Sequence, residues 1–166
     1  MGQFGVFSRM NQKIKTLPAL CRILKKLKAK GSRIVFTNGC FDIPHLGHVS
    51  YLRKAKLFGD VLVVGLNTDR SVRKIKGPSR PINAEKDRAE VLSEFASVDY
   101  ITFFGDPTPL GLIRRLRPDV LVKGADWKPK DIVGRDFVES YGGCVKRVRF
   151  VPGRSTTNVL KKLGLG

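Results

Sequence analysis

The sequence is short of acid, of cysteine, of histidine and of long apolar runs, and each shortage narrows what the chain can be. Asp and Glu number 14 against 32 Lys and Arg, so the 166 residues carry a formal charge of +18. An excess of that size points to an anionic partner: nucleotide, phosphosugar, nucleic acid or membrane surface. No apolar stretch reaches the roughly 18 residues that a spanning helix needs, which excludes a helical membrane span. Three cysteines, Cys21, Cys40 and Cys144, lie far apart with no CxxC pair. A disulfide framework or a zinc–cysteine site is therefore not expected. Free thiols fit a reducing, cytoplasmic setting, and residues 1–15 lack the apolar core and cleavage site of a secretory signal. The glycine patterns of P-loop and dinucleotide-binding proteins are both missing.

What is present is enough for one ordinary domain. Apolar residues make up 42% of the chain, sufficient to bury a core without staples. Residues 1–31 hold eight basic residues and no acid. Within them Leu17, Leu20, Ile23, Leu24 and Leu27 recur at helical spacing, with Thr16 to cap the start, Pro18 in the first turn and Gly31 to end it. The segment reads as a loose basic tail followed by an amphipathic helix over 17–30. Its apolar face is expected to pack on the domain with its lysines in water; a nucleic-acid or membrane contact is the alternative.

From Ser32 to residue 166 the pattern alternates. Strands are expected at 33–38, 61–66, 98–104, 119–123 and 145–151. Helices are expected at 46–58, from an Asn83 cap to about 95, from 106–109 to before Pro118, at 131–141 and at 155–163. Residues 67–82, polar and basic with Gly77, Pro78 and Pro81, read as a loop. Nearly all-apolar strands alternating with helices predict an α/β fold: a Rossmann-like, doubly wound sheet of about five mainly parallel strands. Ligands in such folds sit beyond the carboxyl ends of the strands.

The turn after the first strand runs Thr37-Asn-Gly-Cys-Phe-Asp-Ile-Pro-His-Leu-Gly-His48. Its glycines let backbone approach a phosphate, and the helix that follows aims free N–H groups and its positive end at the same place. His45 and His48, the only two histidines, lie three apart and face one way on the first helical turn. Such a pair can steady charge on a phosphate oxygen during displacement. Half a metal site is the weaker reading, because no third histidine exists and the cysteines are scattered. A structural pair is the other alternative.

Gly39-Cys-Phe-Asp42 followed by His45-Leu-Gly-His48 resembles the signature of the HxGH nucleotidyltransferase superfamily, and Ser155-Thr-Thr157 resembles its second motif. Lys76-Gly77, Arg80-Pro-Ile82, Asp106-Pro-Thr-Pro109, Pro118-Asp-Val-Leu-Val-Lys-Gly124, Ile132-Val-Gly134 and Gly153-Arg154 extend the similarity over residues 17–166. Together they resemble bacterial D-glycero-β-D-manno-heptose 1-phosphate adenylyltransferases. Two departures stand out: Pro44 replaces the usual Leu, and Ala125-Asp-Trp127 replaces the commoner Gly-Asp-Tyr. The related glycerol-3-phosphate cytidylyltransferases also carry an Asp-Trp pair there, which keeps a cytidylyl transfer open; a nucleic-acid-binding module is the non-enzyme alternative.

The resemblance implies transfer of AMP from ATP to the sugar 1-phosphate, giving ADP-heptose, a precursor of the lipopolysaccharide core, and pyrophosphate. It implies Mg²⁺ accompanying ATP, no dedicated metal ligands, a homodimer, a separate heptose kinase, and neither a nucleic-acid partner nor a membrane span. It places His45, His48 and Lys76 in catalysis. It places Asn38, Gly39, Cys40, Phe41, Gly47, Arg88, Gly124, Asp126, Trp127, Ser155, Thr156 and Thr157 at the nucleotide, and Asp42, Arg80 and Lys123 at the sugar phosphate. Cys40 is read as packing beside glycine rather than as a thiolate nucleophile. Trp127 is read equally as a stacking surface or a core plug, and Lys74 and Arg73 as solvated.

Overall fold

Runs of β-branched and apolar residues with no polar face can be buried only between two layers, and β2 (Val61–Asn67) and β4 (Val120–Gly124) are buried along their whole length. In the computed structural model, which describes residues 12–149, they join β1 (Ile34–Gly39), β3 (Tyr100–Phe104) and β5 (Cys144–Val148) in one sheet. All pairings are parallel, in the order β3-β2-β1-β4-β5. Ile34 pairs with Val61 and Gly39 with Leu66, while Val35 lies opposite Val120 on the other side.

Alternate residues of each strand face opposite layers. Val35, Leu62 and Val64 pack with Tyr51, Leu52 and Ala55 of α2 (Leu46–Lys56) and with Ala89 and Leu92 of α4 (Glu85–Ser93). Ile34, Phe36 and Val63 pack on the other side with Leu20 and Leu24 of α1 (Leu17–Ala29) and with Leu112, Ile113 and Leu116 of α5 (Leu110–Leu116). Val138 of α6 (Arg135–Ser140) completes that layer. Gly65 lets α5 close on the sheet: a Cβ there would lie 2.9 Å from both Leu112 and Phe36.

Acidic side chains organise the amino edge of the sheet. Asp60, Asp99 and Asp119 accept hydrogen bonds from the backbone N–H groups of Arg33 (2.7 Å), Leu62 (2.6 Å) and Ile34 (2.7 Å), donors at or beside the strand starts.

The structure corrects three expectations. Residues 67–82 are not all loop, because α3 occupies Asp69–Lys76. Thr68 caps it through Oγ1, Asp69 sits in its first turn, and three cations occupy its last, so end effects compensate for a thin apolar face. Asn83 does not cap α4; Ala84 holds that position, and Asn83 Nδ2 instead donates to the Asp42 carbonyl at 2.7 Å. The tail is not loose up to α1, because Ile14 bridges Ile101 in parallel and Lys13 and Lys15 exchange backbone bonds with Ile101. The end of the expected fifth strand and the expected 155–163 helix lie outside the described residues.

The contribution of α1 to this core sets one expectation. Leu20→Ala, at a fully buried position, is expected to lower unfolding free energy in urea by about 2–5 kcal/mol; a loss under about 0.5 kcal/mol, the level of a surface change, would show that α1 is not integral to the core.

Candidate active site

Chain direction sets the location. From β1 the chain winds outward through β2 and β3, then returns to place β4 on the other flank of β1. The carboxyl ends of β1 and β4 thus form a switch point, the crevice where open α/β sheets take ligands. A cavity of about 500 Å³ lies there, lined from β1 by Asn38 and Gly39, from the following turn by Cys40, Phe41 and Asp42, and from α2 by His48 and Tyr51. Lys76 closes it from the end of α3, and Lys123, Gly124 and Trp127 from the end of β4. A broader groove beside α3 and α4, edged by Arg70, Arg73 and Lys74, contains neither histidine.

His45 is the N-cap of α2, in extended conformation, and its Nδ1 accepts from the Gly47 N–H at 3.0 Å. An accepting Nδ1 leaves the ring proton on Nε2, so His45 presents a donor. His48 stacks on it, with ring centroids 3.9 Å apart and planes at 26°. Burial pushes His48 down to about 4, with repulsion from a protonated His45 and from Lys76 adding to the effect. Burial lowers His45 as well. The pair therefore rests neutral, which stacking at this distance requires, and offers hydrogen bonds rather than fixed charge. His48 Nδ1 is buried with no partner in the structure.

Phe41 adopts φ +44°, packs its buried ring 5.2 Å from His48, and comes so near Gly39 that a Cβ there would meet the ring at 3.0 Å. The turn is held from beneath by Asp42, which is 2% exposed. Its carboxylate accepts from Arg80 Nε (2.6 Å) and from the N–H groups of Ile82 (2.9 Å) and Asn83 (3.0 Å), with Arg80 Nη2 at ion-pair distance, 2.5 Å. Burial pushes this carboxyl up, but the Asn83, Ile82 and Arg80 donors outweigh it and hold it below its usual range. The Asp42 carboxylate is thus committed to the Arg80 guanidinium, through its Nε donor and its charge, and to the backbone N–H groups of Ile82 and Asn83. That connection orients the turn; a sugar hydroxyl would have to displace one of these donors.

Arg88, expected at the nucleotide, is spent on the scaffold. Its side chain is fully buried, and it donates from Nη2 to Asp69 and the Asn67 carbonyl (both 2.8 Å), from Nη1 to the Cys40 carbonyl (2.5 Å) and from Nε to the Asn83 carbonyl (3.1 Å). Cys40 sits at the cavity wall, and burial raises its thiol against the pull of Lys76 and Arg88, which suits packing and not a thiolate. Gly47 is buried in the first turn of α2 with its N–H on His45. Asp126 is exposed and does not line the cavity, whereas Trp127, 48% exposed, stands open at its edge and plugs no core. Ser155, Thr156 and Thr157 lie outside the described residues. Among the described residues no cluster of three or more His, Cys, Asp or Glu could hold a metal ion.

Sequence reasoning passed over Tyr51 and Asn67. The Tyr51 hydroxyl shares a 2.8 Å hydrogen bond with Thr37 and donates to the Val122 carbonyl at 3.2 Å, joining α2 to β1 and β4 beneath the cavity. Its spacing of three from His48 was the available signal. Asn67 ends β2 and donates to Ser71 at 2.9 Å; nothing in its local pattern marks it.

Fold, crevice and histidine turn define a nucleotidyltransferase. A model of the cytidylyltransferase-like family matches residues 36–159, and the chain belongs to that family. The bifunctional protein HldE of Geotalea uraniireducens is 54% identical over 154 residues, covering 93% of this chain and 31% of that protein. HldE of Geobacter metallireducens is 54% identical over 156 residues, covering 94% and 32%. The chain thus spans about a third of the length of these curated relatives. Among solved structures, a lipopolysaccharide core biosynthesis protein from Thermoplasma volcanium GSS1 superposes with a TM-score of 0.61 at 31% identity, covering 73% of this chain and 98% of that one. The pantoate-beta-alanine ligase of Francisella tularensis, at TM-score 0.57 and 16% identity over 87% of this chain and 68% of that one, shares the fold alone.

Two outcomes follow from the site. Arg88→Met leaves Asp69 and three carbonyls without their donor and is expected to cost about 3–5 kcal/mol in urea unfolding. His48 takes up its proton near pH 6.5 when unfolded but near 4 in the fold. Its share of stability is therefore complete above pH 6.5 and lost as pH falls toward 4. Comparing urea unfolding across that window, His48→Gln should remove about 1–3 kcal/mol of the pH-dependent loss.

Proposed function

We propose that the chain transfers AMP from ATP to D-glycero-β-D-manno-heptose 1-phosphate, releasing ADP-heptose and pyrophosphate for lipopolysaccharide core synthesis. The observation that carries this reading is the stacked, neutral histidine pair at the start of α2, whose His48 lines the β1–β4 crevice with His45 stacked on it, in a chain 54% identical to HldE proteins. A phosphate oxygen of the sugar attacks the α-phosphorus in line; one P–O bond forms and the bond to pyrophosphate breaks. No protein nucleophile is needed, so positioning and charge stabilisation do the work.

Each residue then has a task. The Nε2–H of His45 and the ring of His48 meet the phosphate oxygens at the positive end of α2. Lys76 offsets charge on the departing pyrophosphate. Asn38, Gly39 and Phe41 shape the nucleotide side, and Trp127 offers its exposed face for stacking on the base. Mg²⁺ enters as part of the MgATP substrate, on phosphate oxygens. Resemblance supports a homodimer and a cytoplasmic setting, and a sugar kinase must supply the 1-phosphate. A second reading, cytidylyl transfer to glycerol 3-phosphate, is favoured by the family's description and by the Asp126-Trp127 pair.

Pyrophosphate release decides between them, with ATP or CTP offered against the heptose 1-phosphate or glycerol 3-phosphate. Release is expected with ATP and the heptose phosphate. His45→Asn, which keeps a capping acceptor but loses the Nε2–H, is expected to lower it about 10²–10³-fold. Release confined to CTP and glycerol 3-phosphate would overturn the substrate assignment and leave the site intact.

A further inference from the structure

No acidic residue precedes Asp42 in the chain, and the fold turns this bias into a surface. Helices α1 and α5 pack side by side on one layer of the sheet. There Cys21 Sγ donates to the Arg115 carbonyl at 3.8 Å, and Lys28 Nζ donates to the Arg117 carbonyl. Neither helix contains an acid. Their apolar sides are buried against the sheet, so the outward arcs carry the charge. Arg22, Lys26 and the C-cap Lys30 follow one another at intervals of four, an exposed stripe about 12 Å long. Lys25 lies beside it, and Arg114 and Arg115 are exposed on α5. None of these six cations forms an ion pair among the described residues. The α1 cation that does, Lys28, reaches Asp119 at 3.9 Å. The opposite layer is mixed, because α4 carries Glu85, Asp87 and Glu90.

Like charges four apart on a helix repel, and Arg22–Lys26 and Lys26–Lys30 are two such pairs. The helix dipole favours the cations of the last turn, Lys26 and Lys28, but not Arg22 or Lys25 upstream. An extended anionic surface relieves this repulsion, and two features decide its kind. No exposed large apolar side chain belongs to α1 or α5, so the face has nothing to insert. The aromatic rings beside it, Phe137 and Tyr141 of α6, are already covered. Arg114 lies 5.9 Å from the Phe137 centroid and Arg117 4.4 Å from that of Tyr141, which leaves no ring open for a base to stack on. Two helices closed on each other present a layer, not a groove for a strand. We propose that the α1–α5 face docks reversibly on an anionic bilayer, its cations meeting lipid phosphates by charge and without insertion. The crevice opens at the carboxyl ends of β1 and β4, not on this layer, so the docked chain keeps it open to solvent. The inference does not depend on which reaction the crevice performs.

Co-sedimentation of the full chain with vesicles tests this, with equal parts phosphatidylcholine and phosphatidylglycerol set against phosphatidylcholine alone. Binding is expected to the mixed vesicles only. It is expected to vanish as NaCl rises from about 0.1 M to 1 M, where the screening length falls to about 3 Å. The variant Arg22→Gln/Lys26→Gln/Lys30→Gln is expected to bind at least tenfold more weakly. Arg114→Gln/Arg115→Gln is expected to weaken binding as well, and carries the test if thermal melts show the first variant unfolded. A control with the same charge loss, Arg53→Gln/Lys54→Gln/Lys86→Gln, changes exposed positions of α2 and α4 and is expected to stay within twofold of wild type. Failure of wild type to bind the mixed vesicles would overturn the proposal. Equal losses in the α1 variant and the control would also overturn it, leaving net charge without a docking face. Duplex DNA and single-stranded RNA at the same salt are the competing probes. Tighter binding of either than of the mixed vesicles, lost with the same α1 residues, would replace the bilayer with a nucleic acid.

Discussion

The geometry of the crevice depends on one buried guanidinium. Arg88 reaches from α4 to the carboxyl ends of β1 and β2, through the carbonyls of Cys40 and Asn67, and to the start of α3 through Asp69. Each acceptor belongs to a different segment, and each segment borders the cavity or leads into it. Burying an ion is costly, and here the cost is offset by one carboxylate and three carbonyls placed at hydrogen-bond distance. Asp42 does the complementary work from the other side, gathering Arg80 and the N–H groups of Ile82 and Asn83. The histidine turn is thereby held between a buried cation and a buried anion. Neither needs to touch a substrate to decide where His45 and His48 stand.

Scarcity of acid gives this arrangement its electrical character. Of the 14 acidic residues, Asp60, Asp99 and Asp119 bind backbone N–H groups at the amino edge of the sheet, and Asp42 and Asp69 hold Arg80 and Arg88. At the carboxyl edge these two acids are matched by the two guanidiniums that build the scaffold. Lys76 and Lys123, which line the cavity, form no ion pair among the described residues. A cleft with a positive balance and low-dielectric walls concentrates anions. The histidines avoid adding to that charge at rest, since burial and nearby cations keep them neutral. In the proposed reaction an anionic phosphate opposes that field and favours the protonated forms of the pair.

How much of this was legible in the sequence depended on the kind of signal. The apolar strands and the stripe Leu20-Leu24 in α1 were readable because burial imposes a period. The Gly39–His48 turn was readable because its residue types are constrained by backbone approach to a ligand. Helix α3 was not: Val72 is its one buried apolar side chain, so the period that betrays a helix is nearly missing and its ends carry it instead. The scaffold role of Arg88 was not legible for another reason. A sequence shows that an arginine is present but not whether its guanidinium turns inward, and Asp69 and the Cys40 carbonyl lie 19 and 48 residues away. Asn83 failed in the same way, a capping residue type used for a long-range bond to the Asp42 carbonyl.

Nucleotidyl transfer asks little covalent chemistry of a protein, so its demands divide along the sheet. In the proposed reaction the β1 turn and α2 serve the phosphates, which every nucleoside triphosphate shares, and their residues are locked together by Arg88, Asp42 and the Thr37–Tyr51–Val122 hydrogen bonds. The end of β4 is built differently. Lys123, Gly124 and Trp127 line the cavity, Asp126 is exposed, and the segment is tied to β5 through the Ala125 N–H on the Val148 carbonyl and Arg147 on the Ala125 carbonyl, and to β1 through Lys123 and Asn38. An exposed side chain there, such as Trp127, can change without disturbing the lock, so in the proposed reaction base and acceptor preference can vary at β4 while the phosphate machinery stays fixed. This segment is also where Ala125-Asp-Trp127 departs from the commoner pattern; the bonds that hold Ala125 run through its backbone, so they do not depend on the side chains that differ.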